Sequence, residues 1–259
     1  MVHRQKNPET FHNTRFLAVD FDGTVARTFE PSPNNIDVHS AHRIAVKKRF
    51  GQEGLARYIA DGGLGNRAPS EVVRSLVPHA PVDELAEMTE RFIDDKLDVL
   101  LNEITCRWPR PVAGYFETRD AMKTSGDFDE AIISSGHVPF IVKTYETWGE
   151  EPPEYIVAEE TIRNLASVMN ITPPVKPHPA LMEVAHQLWR ASYGEHQPDS
   201  ETSRTLYVGD DPVKDGELAR NSGVDFVLVD PEKPRESWRE VRQKLYIAGE
   251  SDECQVTGM

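Results

Sequence analysis

The chain has 259 residues, enough for one large domain or two modest ones, with apolar and charged fractions ordinary for a globular protein. Its 43 acidic and 29 basic residues give a formal net charge of −14, which speaks against a nucleic-acid surface, since that needs clustered Lys and Arg. There is no apolar run near the roughly 20 residues of a membrane helix, the opening stretch MVHRQKNPETFHNTR lacks a signal-type apolar core, and the two cysteines, Cys106 and Cys254, read as reduced thiols; the expected setting is the cytoplasm.

Residues 1–14 read as a loosely attached arm. The apolar run RFLAVD (Arg15 to Asp20) is the first predicted strand, followed by a long gap with no strand pattern. Helical patterns fill that gap over Asp37 to Ile59, Ser70 to Leu76 and Val82 to Glu103. The last of these carries Leu85, Met88, Phe92, Ile93, Leu97 and Leu100 at helical spacing. Beyond Pro111, helices over Val112 to Ser125, Val138 to Trp148, Pro179 to Tyr193 and Val213 to Ser222 alternate with the runs EAIISS, EYIVAE, TLYVGD and DFVLVD. Continuous apolar strands of this kind fit a parallel sheet buried on both faces, and crossover helices complete the pattern. The expected fold is α/β, a Rossmann-like doubly wound parallel sheet with an inserted α-helical cap. The core would comprise 15–27 and 112–248, the cap 28–111, and a polar tail 249–259.

Polar signals gather at the C-terminal ends of the predicted strands, where open α/β sheets build ligand sites. Asp20, Asp22 and Thr24 follow the first strand, Ser134, Ser135 and Gly136 the second, and Gly209, Asp210 and Asp211 the fourth, with Asp215 a helical turn on. Lys176 stands in PPVKPHP before the fourth strand. Taken singly, each has a plainer reading. The aspartate pair makes an Asx turn, Ser134 a helix cap, Asp211-Pro212 a cap and first-turn pair, and Lys176 a solvated loop residue.

The ordered set, an acid pair, a hydroxyl, a lysine and an acid cluster on successive strand tips, suits phosphoryl transfer. A carboxylate serves as nucleophile, a hard cation such as Mg²⁺ takes carboxylate oxygens, and a hydroxyl and a lysine hold phosphoryl oxygens. A second carboxylate, protonated, gives its proton to the leaving oxygen. Two neighbouring aspartates then need different protonation states.

In order and content, DFDGT, IISSG, VKPHP and VGDDPVKD resemble the four motifs of the haloacid dehalogenase superfamily, and the helical insert resembles the cap of its phosphoglycolate phosphatase and β-phosphoglucomutase-like branch. The resemblance implies Asp20 as nucleophile and Asp22 as general acid/base. Ser134, Ser135, Thr24 and Lys176 would bind phosphate. Mg²⁺ would be held by Asp20, Asp210 and the main-chain carbonyl of Asp22, with Asp211 or Asp215 as a further ligand, a residue behind the ligands, or a cap. The acid at position 22 favours ester hydrolysis, because members that cleave carbon–halogen or carbon–phosphorus bonds lack it.

In DGGLGNRAPSEVVRSL, Arg67 and Asn66 match a cap stretch that faces the active site, and Arg67 reads either as a contact to the distal end of the substrate or as an exposed loop residue. His137 reads as a helix-start residue or as an approach to substrate. The expected activity is a Mg²⁺-dependent phosphatase acting on a small phosphorylated metabolite through an aspartyl-phosphate. The alternatives are a phosphomutase of the β-phosphoglucomutase type and a non-catalytic ligand-binding module. Expected partners are that metabolite, no nucleic acid and no membrane, in a monomer or homodimer.

Overall fold

The structure, a computed structural model, describes residues 14–63, 67–104, 108–169, 171, 173–194 and 204–245. The expected tail, and the arm apart from Thr14, lie outside the described residues. No described helix is long and apolar enough to cross a membrane.

Five strands form one parallel sheet in the order β3-β2-β1-β4-β5: β1 (Arg15–Val19), β2 (Phe128–Ile133), β3 (Tyr155–Val157), β4 (Thr205–Gly209) and β5 (Asp225–Leu228). The two-residue period of a strand divides β1 between two cores. Leu17 and Val19 face one cluster with Tyr115, Phe140, Tyr145 and Trp238. Phe16 and Ala18 face the other with Trp189, Tyr207 and Leu218. Burial on both faces is why the central strands β1 and β4 read as unbroken apolar runs.

On the first face lie α4 (Tyr115–Ser125), α5 (Val138–Trp148) and α9 (Pro234–Lys244); on the second lie α7 (Ala180–Tyr193) and α8 (Lys214–Ser222). α6 (Glu159–Met169) follows β3. The sequence reading did not anticipate α6 and α9. Only Ile162 and Ala166 of α6 are buried, while Leu165, Val168 and Met169 are exposed, so α6 lacks a clean apolar stripe. α9 is mostly charged, its buried Trp238 and Val241 being too few to carry a pattern.

Between β1 and α4 stand three helices with a core of their own: α1 (Val38–Ala60), α2 (Pro69–Leu76) and α3 (Val82–Glu103). α1 is kinked at Gly51, whose φ of +69° suits glycine. Phe92 of α3 belongs to this smaller cluster and Leu100 to the sheet's cluster, so α3 joins the two. The chain leaves and re-enters the sheet side by side, because Ala26 pairs antiparallel with Pro111 and Val112 N–H donates to Val25 O at 2.8 Å. Ser32 Oγ donates to Glu103 Oε2 at 2.5 Å, tying the entry segment to the end of α3.

Candidate active site

Sheet register brings the signals together. Val19 is paired with Ile132 on one side and Val208 on the other, and Ile133 with Val157, so the residues after β1, β2 and β4 emerge at one edge. Asp20 N–H donates to Val208 O at 2.8 Å, which holds its side chain beside the end of β4.

Lys176, buried, donates from Nζ to Asp20 Oδ1 at 2.5 Å and to Asp215 Oδ1 at 2.8 Å. Tyr207 hydroxyl also donates to Asp215 Oδ1 at 3.0 Å, and Asp211 N–H donates to Asp215 Oδ2 at 3.1 Å. Asp20, Asp210 and Asp215 each offer a carboxylate oxygen, and the three lie within 4.8 Å of one another. When all three are ionised, three carboxylates against one ammonium leave two negative charges in excess. Such hard oxygen donors with that excess suit a divalent cation.

Two glycines make room for this crowding. A Cβ on Gly209 would lie 2.3 Å from Asp215 Oδ2, and one on Gly23, where φ is +82°, 2.1 Å from Asp210 Oδ2. A side chain at either position would force the neighbouring carboxylate to move.

Electrostatics follow from burial and like charge. The Asp20 carboxyl is held well above the usual carboxylate range, first by burial and then by Asp215, Asp210 and Asp22, with Lys176 opposing. Burial and Asp215 push Asp210 up to about 6. Burial also raises Asp22, against the Thr28 and Ser134 hydroxyls and the Lys96 and Lys176 ammonium groups. Lys176 is raised well above an ordinary lysine, because Asp20 and Asp215 together outweigh its own burial.

The remaining predicted residues take several positions. Ser135, Gly136, Lys214 and Asp211 line the same cavity as Asp20, Asp22, Lys176, Asp210 and Asp215, a space of about 140 Å³. Ser134 Oγ accepts from Gly136 N–H at 2.9 Å and shapes the turn after β2. Thr24, wholly buried, turns its hydroxyl to Asp210 Oδ1 at 3.3 Å, behind the acid cluster. Asp211 Oδ1 accepts from Val213 and Lys214 N–H and so caps the start of α8. Asp215 therefore sits in the acid cluster while Asp211 is engaged at the cap. Arg67 reaches the cavity from the helical insert and is paired there with Asp61, and Asn66 lies outside the described residues. His137 Nδ1 meets Glu160 Oε1 at 2.8 Å at the start of α5.

Sequence reasoning missed Lys96. It lies on α3, is only 4% exposed, and lines the cavity beside Asp22. Its signal was legible: position 96 falls four after Phe92 and four before Leu100, a lysine in the middle of the buried helical stripe.

The five parallel strands with flanking helices form a Rossmann-like core, similar in fold to solved structures of the haloacid dehalogenase type. Residues 175–248, less than a third of the chain, match the family model described as HAD-hydrolase-like. No curated protein matches the sequence. Among solved structures, the fold is similar to CbbY from Rhodobacter sphaeroides in complex with phosphate, at TM-score 0.56 and 15% identity over 83% of this chain and 85% of that one. It is also similar to a HAD phosphatase from Thermococcus onnurineus, at TM-score 0.55 and 13% identity over 90% and 99%. A third similar structure is the HAD-hydrolase YfnB of Bacillus subtilis bound to magnesium, at TM-score 0.50 and 16% identity over 91% and 100%. The resemblance carried by the four motifs is thus borne out in the fold and in the C-terminal match.

Proposed function

We propose that this chain is a phosphatase of the haloacid dehalogenase type that hydrolyses a small phosphorylated metabolite through an aspartyl-phosphate on Asp20. The observation that carries the reading is the bridge of Lys176 from Asp20 to Asp215 beside Asp210, facing the cavity that Asp22 also lines. The phosphate held by the CbbY relative and the activity in the name of the Thermococcus relative support it.

In the first half-reaction an Asp20 oxygen attacks phosphorus, forming one P–O bond as the ester P–O bond breaks. The raised carboxyl of Asp22 gives its proton to the departing alkoxide, which leaves as alcohol. Asp22, now ionised, takes a proton from the water that attacks the phospho-Asp20, releasing phosphate and free Asp20. Lys176 holds Asp20 in place and offsets charge on it, and Ser135 and Gly136 line the same cavity wall.

Asp20, Asp210 and Asp215 would hold Mg²⁺, with the main-chain carbonyl of Asp22 as a further oxygen; when bound, the ion neutralises phosphoryl charge in the transition state. The relative bound to magnesium supports that choice of ion. The helices α1 to α3 act as a cap that covers the strand tips and excludes water.

Phosphate release from a panel of phosphomonoesters with and without Mg²⁺ tests the proposal. Turnover that disappears in Asp20→Asn, along with any label trapped on the protein by acid quench, is expected. No release from any ester, or isomerised hexose phosphate without free phosphate, overturns it.

A further inference from the structure

Lys96 is a buried cation with no near counter-ion: among the described residues no carboxylate comes within ion-pair distance of its ammonium. The carboxylates that act on it from farther away are Asp22, Glu159 and Glu160. Glu160 is already engaged, accepting from Val138 N–H at 2.8 Å and facing His137 Nδ1. Asp22 Oδ1 is itself buried without a hydrogen-bond partner. A lysine kept out of water without a direct partner is costly unless an anion joins it.

The cavity that would bring that anion is small and two-sided. Its floor is the phosphoryl chemistry of Asp20 and Lys176, and its roof carries Lys96 and Arg67. Arg67 is paired with Asp61, which leaves Lys96 as the uncompensated charge of the roof. At about 140 Å³ the space is compact, and of the common anionic groups a planar carboxylate suits it better than a second phosphoryl group.

We propose that Lys96 is the specificity-determining residue of this site, pairing with a second anionic group, a carboxylate by size, set two or three carbons from the phosphoester of a compact substrate. The inference rests on the phosphatase reading above and deepens it. Lys96 reaches the substrate from the insert and not from the sheet, so the same fold with another residue at this position selects another leaving group.

The test compares 3-(phosphonooxy)propanoate with n-propyl phosphate, which share the ester and differ in the carboxylate. Wild-type kcat/KM is expected to favour the carboxylate ester by about tenfold or more, Lys96→Met to bring the two within about threefold, and Lys96→Arg to restore part of the preference. Lys96→Gln, which keeps a polar end in the cavity, guards against a Met variant that folds poorly. The second readout is calorimetric binding to Asp20→Asn protein, where adding Lys96→Met weakens the propanoate ester by about tenfold and inorganic phosphate by far less. Equal wild-type rates on the two esters, or equal losses on both in every Lys96 variant, overturn the assignment of Lys96 while leaving the phosphatase intact. Binding that depends on Lys96 without turnover of either ester supports the assignment and overturns the phosphatase.

Discussion

The Lys176 ammonium donates to Asp20 Oδ1 at 2.5 Å, joining residues 156 positions apart in sequence. The same nitrogen serves Asp215 at 2.8 Å, so one cation holds two buried carboxylates together. Removing it leaves both without their counter-ion, a loss of about 3–5 kcal/mol when a buried pair is broken from one side. Lys176→Met is therefore expected to lower the midpoint of thermal unfolding and to abolish turnover. Unchanged stability in calorimetry would show that the bridge contributes nothing to the fold.

Asp22 is expected to act as acid toward the leaving oxygen. Asp22→Asn keeps the shape and removes the proton, so turnover of alkyl phosphates should fall by about 10²–10⁴. p-Nitrophenyl phosphate, whose leaving group needs no proton, should suffer least. Rates measured across a series of leaving groups check this, and a uniform loss counts against the role.

Gly209→Ala probes the packing of the acid cluster. The added methyl would lie 2.3 Å from Asp215 Oδ2, so Asp215 must move and its hold on Lys176 loosens. Overpacking of this kind costs about 1–3 kcal/mol. The expected result is a folded protein of reduced stability and strongly reduced turnover, read by calorimetry and phosphate release on the same sample.

The sheet was legible because its central strands, β1 and β4, are buried on both faces and so appear as unbroken apolar runs bounded by polar tips. The three insert helices were legible from long apolar stripes such as Phe92 and Leu100. α6 and α9 were not, since α6 exposes much of its apolar content and α9 rests on two buried apolar residues. At the site, residue order along the strands located Asp20, Asp22, Lys176 and Asp210, but it does not encode which way a side chain turns. Thr24 turning to Asp210, and Asp211 capping α8 while Asp215 joins the cluster, depend on local hydrogen bonds that only the fold decides. Lys96 lies in the same stripe between Phe92 and Leu100, and its burial follows from that place on the helix.

His186 provides a pH test away from the site. Burial holds its imidazole down at about 4, and its Nε2 meets the Thr205 hydroxyl at 2.9 Å. In the unfolded chain a histidine binds a proton below about pH 6.5. Between these values the unfolded chain binds more protons, so this histidine's contribution is present above 6.5 and is lost as pH falls toward 4, by up to about 3 kcal/mol. The buried Asp20 and the half-buried Asp22 and Asp210, whose carboxyls are raised, act in the opposite direction over part of the range. The comparison that isolates His186 is the His186→Gln variant, which should lose less stability on acidification in denaturant titrations. Parallel curves for the two proteins would refute it.

Under the proposed function Asp210 is one of the carboxylates that would hold the divalent cation. Its carboxyl is pushed up to about 6, because it is buried beside Asp215. A cation competes with that proton, so affinity for Mg²⁺ should rise as pH passes upward through about 6. Binding to the folded protein alone raises its stability, by about 2.7 kcal/mol when the ion is at a hundred times its dissociation constant. Added Mg²⁺ is thus expected to raise the unfolding midpoint near neutral pH and to do so far less when Asp210 is protonated. Asp210→Asn should abolish the rise even where the variant folds normally, since the amide supplies no negative charge. A midpoint shift that persists in Asp210→Asn, or that is equal on both sides of that titration, would mean the ion binds elsewhere on this acidic chain. The variant matters because a chain with fourteen excess negative charges attracts divalent ions weakly at many places, and only a response that follows one carboxylate identifies the strand-tip cluster as the site.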